Sequence, residues 1–236
     1  MALFDAAAAI EAFPELKVAF LIGPANPPDG EDAADVPVRI ADRIREGHGS
    51  AEALAANPLA EGYRQFYVDM GARPSAASTP IKQALRAFER GYRPIHPVVD
   101  ICMEIEYASL CSFQVYDRER LGSKITYAAA SGTEEIAERA HGGGSCKLRR
   151  GELALADEHG VINSPMCGNA ASRVVTPESR IVVVRILKIP ALDDSVFAAA
   201  AGEASARLAA RHTIVLDREH PIVEVDEGAT DALIAQ

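Results

Sequence analysis

From Ser123 onward the chain changes texture, and that change limits what it can fold into. Residues 123–129 (SKITYAA), 152–157 (ELALAD), 180–187 (RIVVVRIL) and 212–217 (HTIVLD) are rich in β-branched residues and bounded by Gly, Pro, Asp or Asn. Such runs mark strands, and Asp157-Glu158-His159-Gly160 reads as the turn between two of them. Ahead of Ser123 the apolar residues recur at helical spacing instead. Residues 80–90 are the clearest case: Thr79 can cap the helix, Pro80 suits its first position, Ile81, Leu85 and Phe88 share a face, and Gly91 ends it. Val98, Ile101, Cys102, Ile105 and Ala108 repeat the pattern, which leaves Met103, Glu104, Glu106 and Tyr107 for the other faces of an amphipathic helix.

Further helices are expected over 38–46, over 51–56 with Ser50 as cap, over 60–70 with Gly71 as stop, and over the alanine-rich residues 193–211. An early buried strand over 17–22 (KVAFLI) is followed by a Pro- and Gly-rich loop over 23–32. Strands and helices mixed in this way predict a single α+β domain around a mixed sheet, one able to close into a barrel.

With 236 residues, 48% of them hydrophobic and 25% charged, the chain can bury a sizeable core. No apolar run reaches the ~20 residues a membrane span needs, and the acidic start lacks a basic signal region, so a cytoplasmic protein is expected. In that compartment Cys102, Cys111, Cys146 and Cys167 are expected as free thiols, and their spacing with His96 and His141 matches no zinc pattern. Neither a metal nor a cofactor is therefore expected. A net charge of -10 argues against DNA as a partner. The charge is uneven, however: residues 74–150 carry 11 basic and 9 acidic residues, so any RNA contact would use that segment. Arg118, Arg120, Lys124, Lys147, Arg149 and Arg150 are its candidates for a basic rim.

Three stretches carry a family resemblance. RPIHPVVDICMEIEYASLCSFQVYD (93–117), GELALADEHGVINSPMCGNAASRVVTPESRIVVV (151–184) and GYRQFYVDMGARPSAASTPIKQALRAFERG (62–91) are similar to segments of the editing (B3/B4) domain of the phenylalanyl-tRNA synthetase beta subunit. The likeness is clearest over 60–192, with 1–59 as an N-terminal extension and 193–236 as a C-terminal helix and strands. In the synthetase this domain hydrolyses tyrosine wrongly attached to the phenylalanine tRNA. The resemblance thus implies a free-standing domain that recognises an amino acid or the acceptor end of a tRNA, and a hydrolase acting on mischarged tRNA, without the synthetase's own activity.

Carried over residue by residue, the family's Thr-Asn pair after the VVD aspartate falls on Cys102 and Met103, and the histidine near the scissile ester on Gln114. The family's preference for tyrosine does not carry over with those changes. The resemblance implies a pocket between the helix that begins at His96 and a turn at 166–172. Candidate catalytic residues are His96, Gln114 and Asn169; candidate substrate-binding residues are Cys102, Met103, Glu104, Met166, Cys167, Gly168 and Ser172. His96 would be the general base. Two other classes remain open: a non-catalytic small-molecule or RNA-binding module, and a two-thiol amino-acid epimerase. The second is suggested by Met166-Cys167-Gly168-Asn169, which is similar to the cysteine motif of cofactor-independent epimerases, with Cys146 as the second thiol. The run from His141 through three glycines to Cys146 reads as a connection.

Overall fold

The computed structural model describes residues 2–27, 32–72 and 79–225. The expected loop over 23–32 thus lies partly, and the tail beyond 225 wholly, outside the described residues. In chain order the elements are β1 (Ala2–Asp5), α1 (Ala7–Ala12), β2 (Lys17–Pro24), α2 (Val36–His48), α3 (Ala51–Ala55), α4 (Leu59–Asp69), α5 (Pro80–Arg90) and α6 (Pro97–Ser109). After them come β3 (Ser112–Asp117), β4 (Lys124–Ala129), β5 (Glu135–Ile136), β6 (Cys146–Lys147), β7 (Leu153–Asp157), β8 (Gly160–Ser164) and β9 (Gly168–Asn169). The last are β10 (Ile181–Lys188), α7 (Asp194–Arg207), β11 (His212–Leu216) and β12 (Ile222–Val225).

Two main sheets result. One is mixed and six-stranded, in the order β12-β1-β4-β7-β8-β9, with β1 and β4 parallel and the other pairs antiparallel. The other is an antiparallel sheet of four, β11-β2-β10-β3, and β5 with β6 makes a small ribbon. The fold is α+β around a mixed sheet, as the alternation of textures predicts. It is not a closed barrel: β3 and β9 each end a sheet, and closure would require them to pair.

Local chemistry sets the helix starts. Ser50 Oγ accepts from the Ala53 N–H at 3.2 Å and Thr79 Oγ1 from the Lys82 N–H at 3.2 Å, each satisfying one orphan donor of a first turn. Gly62, in the middle of α4, is there for contact: a Cβ added to it would lie 2.4 Å from the Ala191 side chain. The alanine-rich helix α7 stops at Arg207, short of the expected residue 211. Ala209 takes a left-handed conformation (φ 48°), and the Arg211 N–H then donates to Ile22 O at 2.8 Å to start β11. Strand pairing competes with the end of a helix there, and wins.

Helix α6 departs from the amphipathic expectation. Asp100, Glu104, Glu106 and Tyr107 are all buried, because α2, α5, α7 and β3 pack around most of the helix. Each carboxylate has its own local answer. Asp100 accepts from Tyr92 Oη at 2.8 Å and the Ile95 N–H at 2.9 Å; Glu104 meets Arg39 at 3.1 Å and Arg207 at 2.8 Å; Glu106 accepts from the Phe113 N–H at 2.6 Å.

The expectation of four free thiols is overturned for two of them. Cys146 and Cys167 form a disulfide across 21 positions, with Cα atoms 5.6 Å apart. The β5–β6 ribbon and the turn before β9 bring them together over a small second core that includes Ile136, Leu148 and Ala154. Cys102 and Cys111 are free and buried. No described helix is long and apolar enough to cross a membrane, and among the described residues no three His, Cys, Asp or Glu gather as a metal would require.

Candidate functional site

A cavity of ≈810 Å³ opens where the two sheets end, lined by β3 and β10 of one, by β8, β9 and the turn between them from the other, and by α4, α5 and one face of α6. Its volume is within the range of small-molecule sites. The walls are aromatic and apolar, with Tyr63, Phe66, Tyr107 and Phe113 among them. The charged lining has one sign. Among the described residues four arginines (Arg86, Arg90, Arg93 and Arg185) and one histidine (His141) line it, and no Asp or Glu does. In a chain of net charge -10 this is a local reversal, and it favours an anionic ligand.

Three of those arginines belong to α5 and the segment after it, and none of the three is in an ion pair among the described residues. The fourth, Arg185, sits on β10 directly across from Gln114 on β3, and is 2% exposed. Its Nη1 donates to Asn163 Oδ1 at 3.1 Å, and Asn163 Nδ2 donates to Asn169 Oδ1 at 2.7 Å. Because arginine only donates, the Asn163 oxygen must face it; the Asn163 amide nitrogen then faces the Asn169 oxygen. Arg185 Nε has no hydrogen-bond partner, nor do the buried hydroxyls of Tyr116 and Tyr127 and the Glu106 Oε1. The guanidinium lies 5.6 Å from the centre of the Tyr127 ring. Burial pushes the Glu106 carboxyl up to about 8, while the Phe113 N–H and the charge of Arg185 pull the other way.

The residues expected from sequence separate into two groups. Gln114, Asn169, Met103, Met166, Cys167 and Gly168 all line this cavity. Gly168 adopts φ 79°, a conformation that favours glycine, and the Cys167 N–H donates to Ser164 Oγ at 3.0 Å, fixing the turn. The other residues lie elsewhere. His96 caps α6, accepting from the Val98 N–H at 3.4 Å, and lines a separate cavity of ≈240 Å³ with Arg39 and Asp100; burial lowers its pKa. Cys102 points into the main core, fully buried, which drives its thiol pKa up. Glu104 faces Arg39 and Arg207 on the other side of the helix, and Ser172 is exposed and does not line the cavity. The reason is helical geometry. Adjacent positions on α6 point about 100° apart, so of the three consecutive candidates only Met103 reaches the cavity.

The expected basic rim is also displaced. Arg118 donates to Leu121 O, Arg120 pairs with Asp117 at 3.3 Å, and none of the six named cations lines the cavity. Arg86 and Arg90 had a legible signal in their four-residue spacing on one helix, and Arg185 had one as the charge within the apolar run 181–187. The run His141 to Cys146 is more than a connection. Gly142, Gly143 and Gly144 all take positive φ (85°, 61° and 66°), Arg139 donates to Gly143 O at 2.9 Å, and the Ala140 N–H donates to Asn169 O at 2.8 Å. These bonds hold His141 at the cavity wall.

No family model and no curated protein matches this chain. Among solved structures it is similar to an N-terminal fragment of the phenylalanyl-tRNA synthetase beta subunit from Pyrococcus horikoshii, at 15% identity and a TM-score of 0.43, over 56% of this chain. The matched region spans 47%, about half, of that fragment.

Proposed function

We propose that this protein recognises an amino acid, free or esterified to the 3' end of a tRNA, in the ≈810 Å³ cavity between its two sheet ends. The observation that carries the reading is the cavity's charged lining, which among the described residues is cationic only, set among aromatic walls. An amino acid has an apolar or aromatic body and an oxygen-rich end, and an aminoacyl-tRNA adds phosphates that Arg86, Arg90 and Arg93 at the α5 side can neutralise. In its hydrolytic form the site would release a misattached amino acid. Arg185, Asn169 and Gln114 offer donors to an ester oxygen, and stabilisation of a developing oxyanion is the largest single contribution such a site can make. Of the histidines, His141 rather than His96 lines the cavity.

Binding without chemistry is the second reading, favoured by the position of His96, the base expected from sequence, outside the cavity. The two-thiol epimerase is withdrawn: sulfurs joined in a disulfide cannot stand on opposite sides of a substrate carbon as acid and base. The deciding experiment sets a panel of mischarged tRNAs beside a panel of free amino acids. Hydrolysis of one aminoacyl-tRNA that is lost in Asn169→Ala or Gln114→Ala supports the editing form, and thermal stabilisation by an amino acid without hydrolysis supports the binding form. Neither response in either panel would overturn the proposal.

A further inference from the structure

The inner end of the cavity says more about the ligand than its mouth does. Arg185 is 2% exposed yet, among the described residues, forms no ion pair; its one hydrogen bond goes to the neutral Asn163. A buried guanidinium whose direct contacts are a neutral amide and an aromatic face is costly, and a paired countercharge is what such a group lacks. The carboxylates of α6 are engaged elsewhere: Asp100 with Tyr92 and Ile95, Glu104 with Arg39 and Arg207, and Glu106, the one whose pKa the charge of Arg185 reaches, with the Phe113 N–H.

The polarity of the chain Arg185, Asn163, Asn169 adds the second observation. Arg185 donates to Asn163 and Asn163 donates to Asn169, so the amide nitrogen of Asn169 is left as a donor at one end, and the guanidinium of Arg185 keeps N–H groups beyond the one given to Asn163 at the other. Both residues line the cavity. Donors at both ends, one of them charged, suit an acceptor that carries negative charge and two oxygens.

We propose, building on the amino-acid reading above, that Arg185 and Asn169 bind a carboxylate of the ligand, with Asn163 as the positioning residue between them. The carboxylate has two possible sources, the α-carboxylate of a free amino acid or the side-chain carboxylate of an acidic one whose α-carboxyl is esterified. The raised proton affinity of Glu106 is consistent with this, since a protonated Glu106 leaves the charge of Arg185 for the ligand.

The test uses the full chain and the L-amino acids, each with its α-amide, read by thermal shift and calorimetric titration. An α-carboxylate ligand makes acids bind and their amides fail. A side-chain carboxylate makes aspartate or glutamate and their α-amides bind, while asparagine and glutamine do not. Binding should weaken at least tenfold in Arg185→Met. Should that variant fail to fold, Asn163→Asp gives the guanidinium a carboxylate of its own and should weaken binding as much. If a neutral α-amide binds as tightly as its parent acid, or if Asn163→Asp binds like the unmodified protein, the carboxylate proposal falls while amino-acid recognition stands. If no acid binds and no aminoacyl-tRNA does either, both fall.

Discussion

Two buried charges on either side of α6 have opposite surroundings. Glu104 is 2% exposed and holds two guanidinium groups, Arg39 from α2 and Arg207 from α7, so three helices meet at one carboxylate. Arg185, equally buried, has a neutral amide and an aromatic face, and opens on the cavity. The first arrangement is complete within the protein and ties helices together. On the proposal above the second is completed by the charge of a ligand, which would separate a structural ion cluster from a binding site.

The largest effect should come from breaking the complete side. Glu104→Ala leaves Arg39 and Arg207 facing each other in a partly buried setting, and should cost about 3–5 kcal/mol in chemical denaturation. A loss under about 1 kcal/mol would remove the contrast. Next comes the disulfide, which stiffens the cavity side alone. Replacing Cys146 and Cys167 with serine should cost about 3 kcal/mol for a loop of this 21-residue separation. Hydrogen exchange should quicken in β6 and β9 while α2 and α7 keep their protection.

Glu106 sharpens the comparison through pH. Its folded pKa of about 8 lies above the ordinary 4.5, so the folded protein holds an extra proton between those values. The contribution of that proton is full below about pH 4.5 and is lost as pH rises through about 8. Glu106→Gln should therefore flatten the stability profile, gaining on the unmodified protein toward high pH by at most about 1.4 kcal/mol per pH unit. Denaturation midpoints at pH 5, 7 and 9 would check this, and parallel profiles would count against it. The smallest effect belongs to His96. Its capping bond is long, so His96→Ala should cost about 0.5 kcal/mol and leave ligand affinity in the large cavity unchanged, measured by the same titrations.

Much of the scaffold was legible residue by residue. Thr79, Pro80 and Gly91 bound α5 as read, Ser50 caps α3, and the β7–β8 hairpin turns at Asp157 to Gly160. Three of the missed strands share one cause. β1, β3 and β12 are short strands whose stability comes from partners far along the chain, β1 with β4 and β12, β3 with β10. At the site, Gln114, Asn169, Met103 and the 166–168 turn were nameable as candidates. Arg86, Arg90, Arg93 and Arg185 were not singled out: the spacing of Arg86 and Arg90 and the apolar setting of Arg185 were signals, but only the closed fold shows that these side chains line a cavity.

By itself, then, the sequence determined what local chemistry can decide: helix starts from caps and prolines, strands from β-branched runs, and the α+β class from their alternation. Tertiary structure alone decided which charges are answered and which are not. Glu104 and Glu106 lie two residues apart on one helix, and only the packing of α2, α7 and β3 gives one of them two cations and the other a single backbone N–H. Likewise Cys146 and Cys167 could be read as two thiols, but whether they meet depends on a ribbon and a turn 21 positions apart. Electrostatic partnership acts through space and over a few ångströms, so it is set by the packed fold rather than by spacing along the chain.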